Sequence, residues 1–226
     1  MNTIPIRPFA AVKLLTLSAL ALVLLLLGGC NDWGVRGNGE IVTDTRTVGP
    51  FSRVQADGAY EVNWAPGAPA LSITTDENLL EHLRTKVSGD TLYIEWKKPL
   101  RGTRGIKVNV ASPSLTHVEL NGAVRFVGSH LAGPELYLEA NGATRVALEG
   151  TVNAVSAEMN GASRLDAESL NTRAMELSIN GAGKAEVHVT EVLKADISGA
   201  GKVVYAGEPK TVSKNVSGAG SIKRRD

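Results

Sequence analysis

The chain has 226 residues, 43% of them hydrophobic, which is enough to bury a core in one or two domains. Its 24 Lys and Arg nearly balance 23 Asp and Glu, and 4% of residues are aromatic, so the composition argues against a nucleic-acid-binding surface. A lone cysteine excludes an internal disulfide framework.

The first 29 residues carry Arg7 and Lys13 and then an uncharged run from Leu14 to Leu27, the layout of a bacterial secretory signal rather than of a full membrane span. Leu27-Gly28-Gly29-Cys30 resembles a lipobox, which implies that Cys30 is acylated and becomes the mature N-terminus. Acyl chains on that residue would hold the protein durably, at about 0.8 kcal/mol per buried methylene. Among bacterial lipoproteins, Asn31 after the cysteine resembles the outer-membrane sorting choice, with the periplasmic or surface face left open. Removal of residues 1–29 leaves 22 basic against 23 acidic residues, so no strong global field is expected.

Residues 30–44, rich in Gly and Asn, are expected to form a tether. Residues 45–105 are expected to be a less regular β region. In it "FSRVQADGAYEVNW" alternates about Asp57-Gly58-Ala59, which stands 64 residues before Asn121-Gly122-Ala123 and is expected to be an outlying copy of that corner, and "ALSITT" and "TLYIEW" have strand composition. Asp76 is placed to cap a short helix with Leu79, Leu80 and Leu83 on one face. The basic, breaker-rich loop from Pro99 to Gly105 marks the best boundary before a regular region over 106–223.

In that region a triplet repeats. Asn121-Gly122-Ala123, Asn141-Gly142-Ala143, Asn160-Gly161-Ala162, Asn180-Gly181-Ala182, Ser198-Gly199-Ala200 and Ser217-Gly218-Ala219 follow one another at 20, 19, 20, 18 and 19 residues. Before each triplet apolar and polar columns alternate with period two, which is the pattern of a half-buried strand. A unit of this length with one strong strand and a Gly corner predicts one coil of an all-β solenoid. Gly supplies a backbone conformation barred to other residues, Asn or Ser bonds local groups, and Ala is expected inside the bend. Coils about 4.8 Å apart would let the first four Asn side chains bond as a ladder.

The "NGA" and "SGAG" corners, the lipoprotein signal, the opening "VGPFSRVQADGAYEVNW" and the final "VSGAGSIK" together resemble the GIN-domain family of adhesin-head-like bacterial proteins, over roughly residues 45 to 223. The resemblance implies a right-handed parallel β-helix or β-solenoid. It supplies neither an established activity nor a catalytic residue.

Enzymes on parallel β-helices act on polysaccharides, so a lyase or hydrolase is the alternative to a non-catalytic envelope binding or scaffolding protein. The carboxylate cluster visible in the sequence is the column Glu119, Glu139, Glu158 and Asp196, whose regular recurrence fits a solvated face better than an active site. His82, His117, His130 and His188 lack metal-ligand spacing, and no metal or cofactor is expected. Four residues after each Asn or Ser stand Arg125, Arg145, Arg164, Lys184 and Lys202. This column is either compensated by the acid column across the corner or is an anion-binding stripe for an acidic glycan or lipid head group. Self-association by stacking of solenoid ends is a third expectation.

Overall fold

A computed structural model describes residues 34–101 and 105–225. Residues 1–29, expected as a secretory signal, Cys30 and the middle of the loop between Pro99 and Gly105 lie outside the described residues. From Val35 onward the chain is one compact unit. Its strands, in order, are β1 Val35–Arg36, β2 Ile41–Arg46, β3 Arg53–Gly58, β4 Glu61–Pro66, β5 Ala70–Asp76, β6 Leu83–Ser88, β7 Thr91–Trp96, β8 Leu100–Arg101 and β9 Lys107–Ser112. They continue as β10 His117–Gly122, β11 Arg125–Gly142, β12 Arg145–Gly161, β13 Arg164–Gly181, β14 Lys184–Gly199, β15 Lys202–Ala206, β16 Thr211–Gly218 and β17 Ser221–Arg224.

The repeat becomes a parallel β-solenoid. Each long strand from β11 to β14 starts just after one corner and ends at the next, and β11, β12, β13 and β14 pair in parallel, coil upon coil. Equivalent triplet residues lie in register: Asn121 opposite Asn141, Asn141 opposite Asn160, Asn160 opposite Asn180, and Asn180 opposite Ser198. The apolar columns point inward as a continuous core, with Val118, Leu138, Ala157, Leu177 and Ala195 stacked through the repeats.

The outlying triplet is a true member of the stack. Parallel pairing of β3 with β10 sets Asp57 against Asn121 and Gly58 against Gly122. The first half therefore continues the solenoid, with a change of direction at its end. There β5 is antiparallel to β9 and β2 to β5, while β6 and β7 form an antiparallel hairpin beside β3. Residues 35–44, expected as tether, thus carry β1 and most of β2. Their Gly and Asn content hid β1, which pairs with β8, and the alternation of β2, which pairs along its whole length with β5.

A 3-10 helix, Glu77–His82, closes this end with Leu79 buried beneath it. Asp76 does not cap it with its side chain. The buried Asp76 carboxylate instead accepts the Gly39 amide at 2.7 Å, so it serves the preceding strap of chain. Leu83 is buried but belongs to β6. Arg46 ties the closure together, donating to the carbonyls of Leu80 at 3.1 Å and Leu83 at 2.8 Å.

Candidate functional site

Each corner separates two outer faces. The strand before the triplet presents one face, bearing the Asn column, and the strand after it presents a second, bearing the cations.

On the first face the amides form a ladder. Asn121 Nδ2 donates to Asp57 Oδ1 at 2.6 Å, Asn141 to Asn121 Oδ1 at 2.9 Å, Asn160 to Asn141 Oδ1 at 2.9 Å, and Asn180 to Asn160 Oδ1 at 3.0 Å. The second amide proton of Asn121, Asn141 and Asn160 goes to Glu119, Glu139 and Glu158 at 3.0, 2.9 and 3.2 Å. Three members of the acid column are thereby acceptors for the ladder. An amide bonded both along and across the stack holds the register of successive coils.

The glycines at these corners, Gly122, Gly142, Gly161, Gly181, Gly199 and Gly218, all have positive φ. At Gly161, φ is 94° and an added Cβ would lie 2.7 Å from the Gly142 carbonyl oxygen. That oxygen accepts the Ala162 amide at 2.8 Å, so the close approach is itself a coil-to-coil hydrogen bond. The alanine is not inside the bend: Ala123, Ala143 and Ala162 are exposed, and the next residue turns inward. The alternation simply continues one step past the corner, which the expectation for Ala overlooked. Those inward residues shrink along the stack, Val124, Thr144, Ser163, Gly183 and Gly201. In the later coils the space is taken by Ile179 and Ile197, whose Cγ2 atoms lie 2.9 and 3.0 Å from where the Gly201 Cβ would be.

On the second face the cations do form a row. Lys107, Glu61, Arg125, Arg145, Arg164, Lys184, Lys202 and Ser221 are mutual register partners from coil to coil. Compensation does not come from the acid column across the corner. Glu61 lies 3.7 Å from Arg125 and 3.5 Å from Lys107. At the other end Glu186 pairs with Lys184 and lies 3.6 Å from Arg164 and 3.3 Å from Arg225, which also pairs with Glu168. Hydrogen bonding from Lys184, then from Glu168, and the charges of Lys184 and Arg164 hold the Glu186 carboxyl down at about 2, against the opposing pull of desolvation. Arg145, between these clusters, and Lys202, one coil beyond Lys184, have no ion-pair partner among the described residues. Arg125, Arg145 and Arg164 rim a shallow hollow of about 260 Å³.

Both acids were within reach of the sequence. Glu61 stands four residues after Asp57, the row's own offset from the corner, and Glu186 stands two after Lys184, on the same side of its strand.

The four histidines stay apart. His82 is 3.5 Å from Glu81, His130 is 3.8 Å from Glu149, and His117 stacks on Tyr137. Among the described residues no group of three or more His, Cys, Asp or Glu is placed to hold a metal ion. No described helix is long and apolar enough to cross a membrane.

A capped parallel solenoid with a bonded amide ladder on one outer face and a row of cations on the next is a scaffold that presents long, regular surfaces. The chain belongs to the family described as "Putative auto-transporter adhesin, head GIN domain", whose profile matches residues 50–209. Comparison with curated proteins finds no match. Among solved structures, a "putative adhesin" from Bacteroides fragilis matches with a TM-score of 0.72 and 22% identity, over 85% of this chain and 100% of that one. A "putative lipid binding protein" from Parabacteroides distasonis matches at 0.53 and 23%, over 85% and 99%. A "putative adhesin" from the same species matches at 0.54 and 18%, over 85% and 100%. At these identities the likeness establishes the fold, and the family places the chain among adhesin-like proteins of the cell envelope.

Proposed function

We propose that the chain is a non-catalytic envelope binding protein, tethered through a lipid on Cys30, whose row of cations holds an acidic polysaccharide. The observation that carries this reading is the in-register row from Arg125 to Lys202, in which Arg145 and Lys202 have no acid partner among the described residues. Cations repeating about every 4.8 Å meet successive carboxylates or sulfates of an extended polymer. Each exposed contact contributes about 0.2–1 kcal/mol, and several on one polymer add to useful affinity. Catalysis finds less support. Glu119, Glu139 and Glu158 are bonded to the ladder, and Glu186 is held by cations.

The test is binding of heparin and polygalacturonate to the purified protein, with phosphatidylglycerol vesicles as a separate arm. Replacing Arg145, Arg164 and Lys184 together by Gln is expected to abolish polymer binding, and about 0.5 M salt to weaken it through screening. Unsaturated products or new reducing ends would overturn the non-catalytic reading. Binding to vesicles alone would move the ligand from glycan to lipid head group. For the tether, Cys30→Ser is expected to release the protein from the membrane fraction and end labelling by radioactive fatty acid. Unchanged fractionation with continued labelling would refute it.

A further inference from the structure

On the ladder face, His117, Tyr137, Ser156, Glu176 and Lys194 form one row, one residue per coil. The first two rings are stacked, with centroids 4.7 Å apart and planes 17° from parallel. That separation matches the coil spacing of about 4.8 Å, so the solenoid itself sets the stack. Burial, and next the charge of Arg53, lower the His117 pKa, which keeps the imidazole neutral beside Tyr137 near neutral pH.

The stack stops at Ser156. Beyond Tyr137 the row continues over a small hydroxyl, and the next large side chain, Glu176, is two coils away, roughly 9.6 Å. A ring in van der Waals contact sits about 3.5–4.0 Å from Tyr137, which leaves room for its edge groups to meet Glu176. The adjacent outward row is equally low there, with Ala154 and Ala174 in register. The result is an open hollow of about 560 Å³, within the usual range for small-ligand sites. Tyr137 is the one aromatic among the exposed large apolar side chains of the described residues, and Val192, also exposed, lies in the same hollow.

The far wall decides what fits. Lys194 Nζ donates to Glu176 Oε1 at 2.5 Å, so their charges cancel while further acceptor and donor sites remain. Glu135, also at the rim, adds a negative charge that disfavours an acidic ligand. One aromatic platform, a hydroxyl on the floor and a charge-balanced polar wall complement a ring that is apolar on one face and hydroxylated at its edge. An aromatic side chain would instead press an apolar edge against the ion pair.

We propose that the slot over Ser156 is a carbohydrate subsite that takes one uncharged pyranose ring of a glycan, its C–H face on Tyr137 and its hydroxyls toward Ser156 and the Glu176–Lys194 pair. This site lies on a different face from the cation row and binds a different class of sugar, so neither depends on the other.

The experiment titrates isotope-labelled protein with cellotetraose, maltotetraose and N-acetylchitotetraose, with heparin and N-acetyltyrosinamide as comparators. At least one neutral oligosaccharide is expected to shift the Tyr137 and Ser156 resonances with a dissociation constant in the millimolar range that salt does not change. Tyr137→Ala should weaken binding by about tenfold or more, while Tyr137→Phe retains it. Ser156→Tyr, which extends the stack into the slot, should abolish binding without lowering the melting temperature. The Gln variant of the cation row should bind these sugars as well as the parent. The proposal fails if none of the three sugars binds, or if Tyr137→Ala and Ser156→Tyr bind them unchanged. Tighter binding of N-acetyltyrosinamide would assign the slot to an aromatic side chain of a protein partner and overturn it equally.

Discussion

Asn160 Nδ2 donates to Asn141 Oδ1 of the preceding coil at 2.9 Å and to Glu158 Oε1 of its own strand at 3.2 Å. One amide group thus bonds along the stack and across it, a task no hydroxyl or carboxylate can perform, because two donors and an acceptor are needed together.

Asn160→Asp removes both donors and sets a carboxylate against two oxygens, whereas Asn160→Ala only deletes the group. The Ala variant is expected to lose about 1 kcal/mol and the Asp variant about 1–3 kcal/mol near neutral pH. Urea unfolding measures both. Protonating the new carboxyl restores a donor, so the gap should close toward about pH 4. Equal losses at both pH values would show that the donors contribute nothing.

Gly161→Val combines a φ of 94° with a Cβ 2.7 Å from the Gly142 oxygen, and neither backbone can move without breaking the Ala162 hydrogen bond. A loss of several kcal/mol is expected in thermal or urea unfolding. Gly183 is a different case. Its φ is ordinary, and an added Cβ meets the Ile179 side chain at 2.9 Å. Gly183→Ser should cost about 1–3 kcal/mol through overpacking. Ile179→Met added to it recreates the Met159 and Ser163 pair of the coil below, and should recover part of the loss.

Glu186 fixes a pH dependence. Its folded pKa, about 2, lies below its ordinary 4.5, so its contribution is complete above about pH 4.5 and is lost as pH falls through 2. Carboxyl NMR is expected to show this late titration. Glu186→Gln should remove the dependence in that window and, by leaving Lys184, Arg164 and Arg225 without their shared acid, lower stability near neutral pH.

The coils were legible because each repeats the same solution at the same place. Period-two columns gave the strands, the triplet gave the corners, and spacing from Asp57 gave the extra copy in β3. The solenoid's ends were harder to read, since an end must break the repeat. Nothing in the composition of residues 35–46 marks β2 as the antiparallel partner of β5, and Asp76 carries a capping residue's identity while its carboxylate turns to Gly39. The cation row was visible as a column, and the offsets of Glu61 and Glu186 were visible too, but the ion pairs they make were not. Balance depends on Glu61 and Glu186, which enter through coil register and through Arg225 from the chain's far end. His117 and Tyr137 share one column, each four residues before a corner Asn, but their stack escaped because the column changes residue type at every coil and so reads as a plain polar face.

The C-terminal end of the stack is where a second copy could add its own coil. β16 is exposed along its whole length, and its inward column leaves Val212 and Val216 partly uncovered. Between them stands Lys214, in register with the buried Ala195, its Nζ 4.9 Å from the Tyr205 ring centroid. A lysine at an inward position of an edge strand is a barrier to further pairing, because an incoming strand would have to bury the charge. The parent protein is therefore expected to remain monomeric through this edge. Lys214→Val, which restores the apolar column, should produce concentration-dependent association in sedimentation velocity, reversed by a second change, Val216→Lys. Parent protein that already self-associates, with Lys214→Glu leaving that association unchanged, would show that the edge is not guarded in this way.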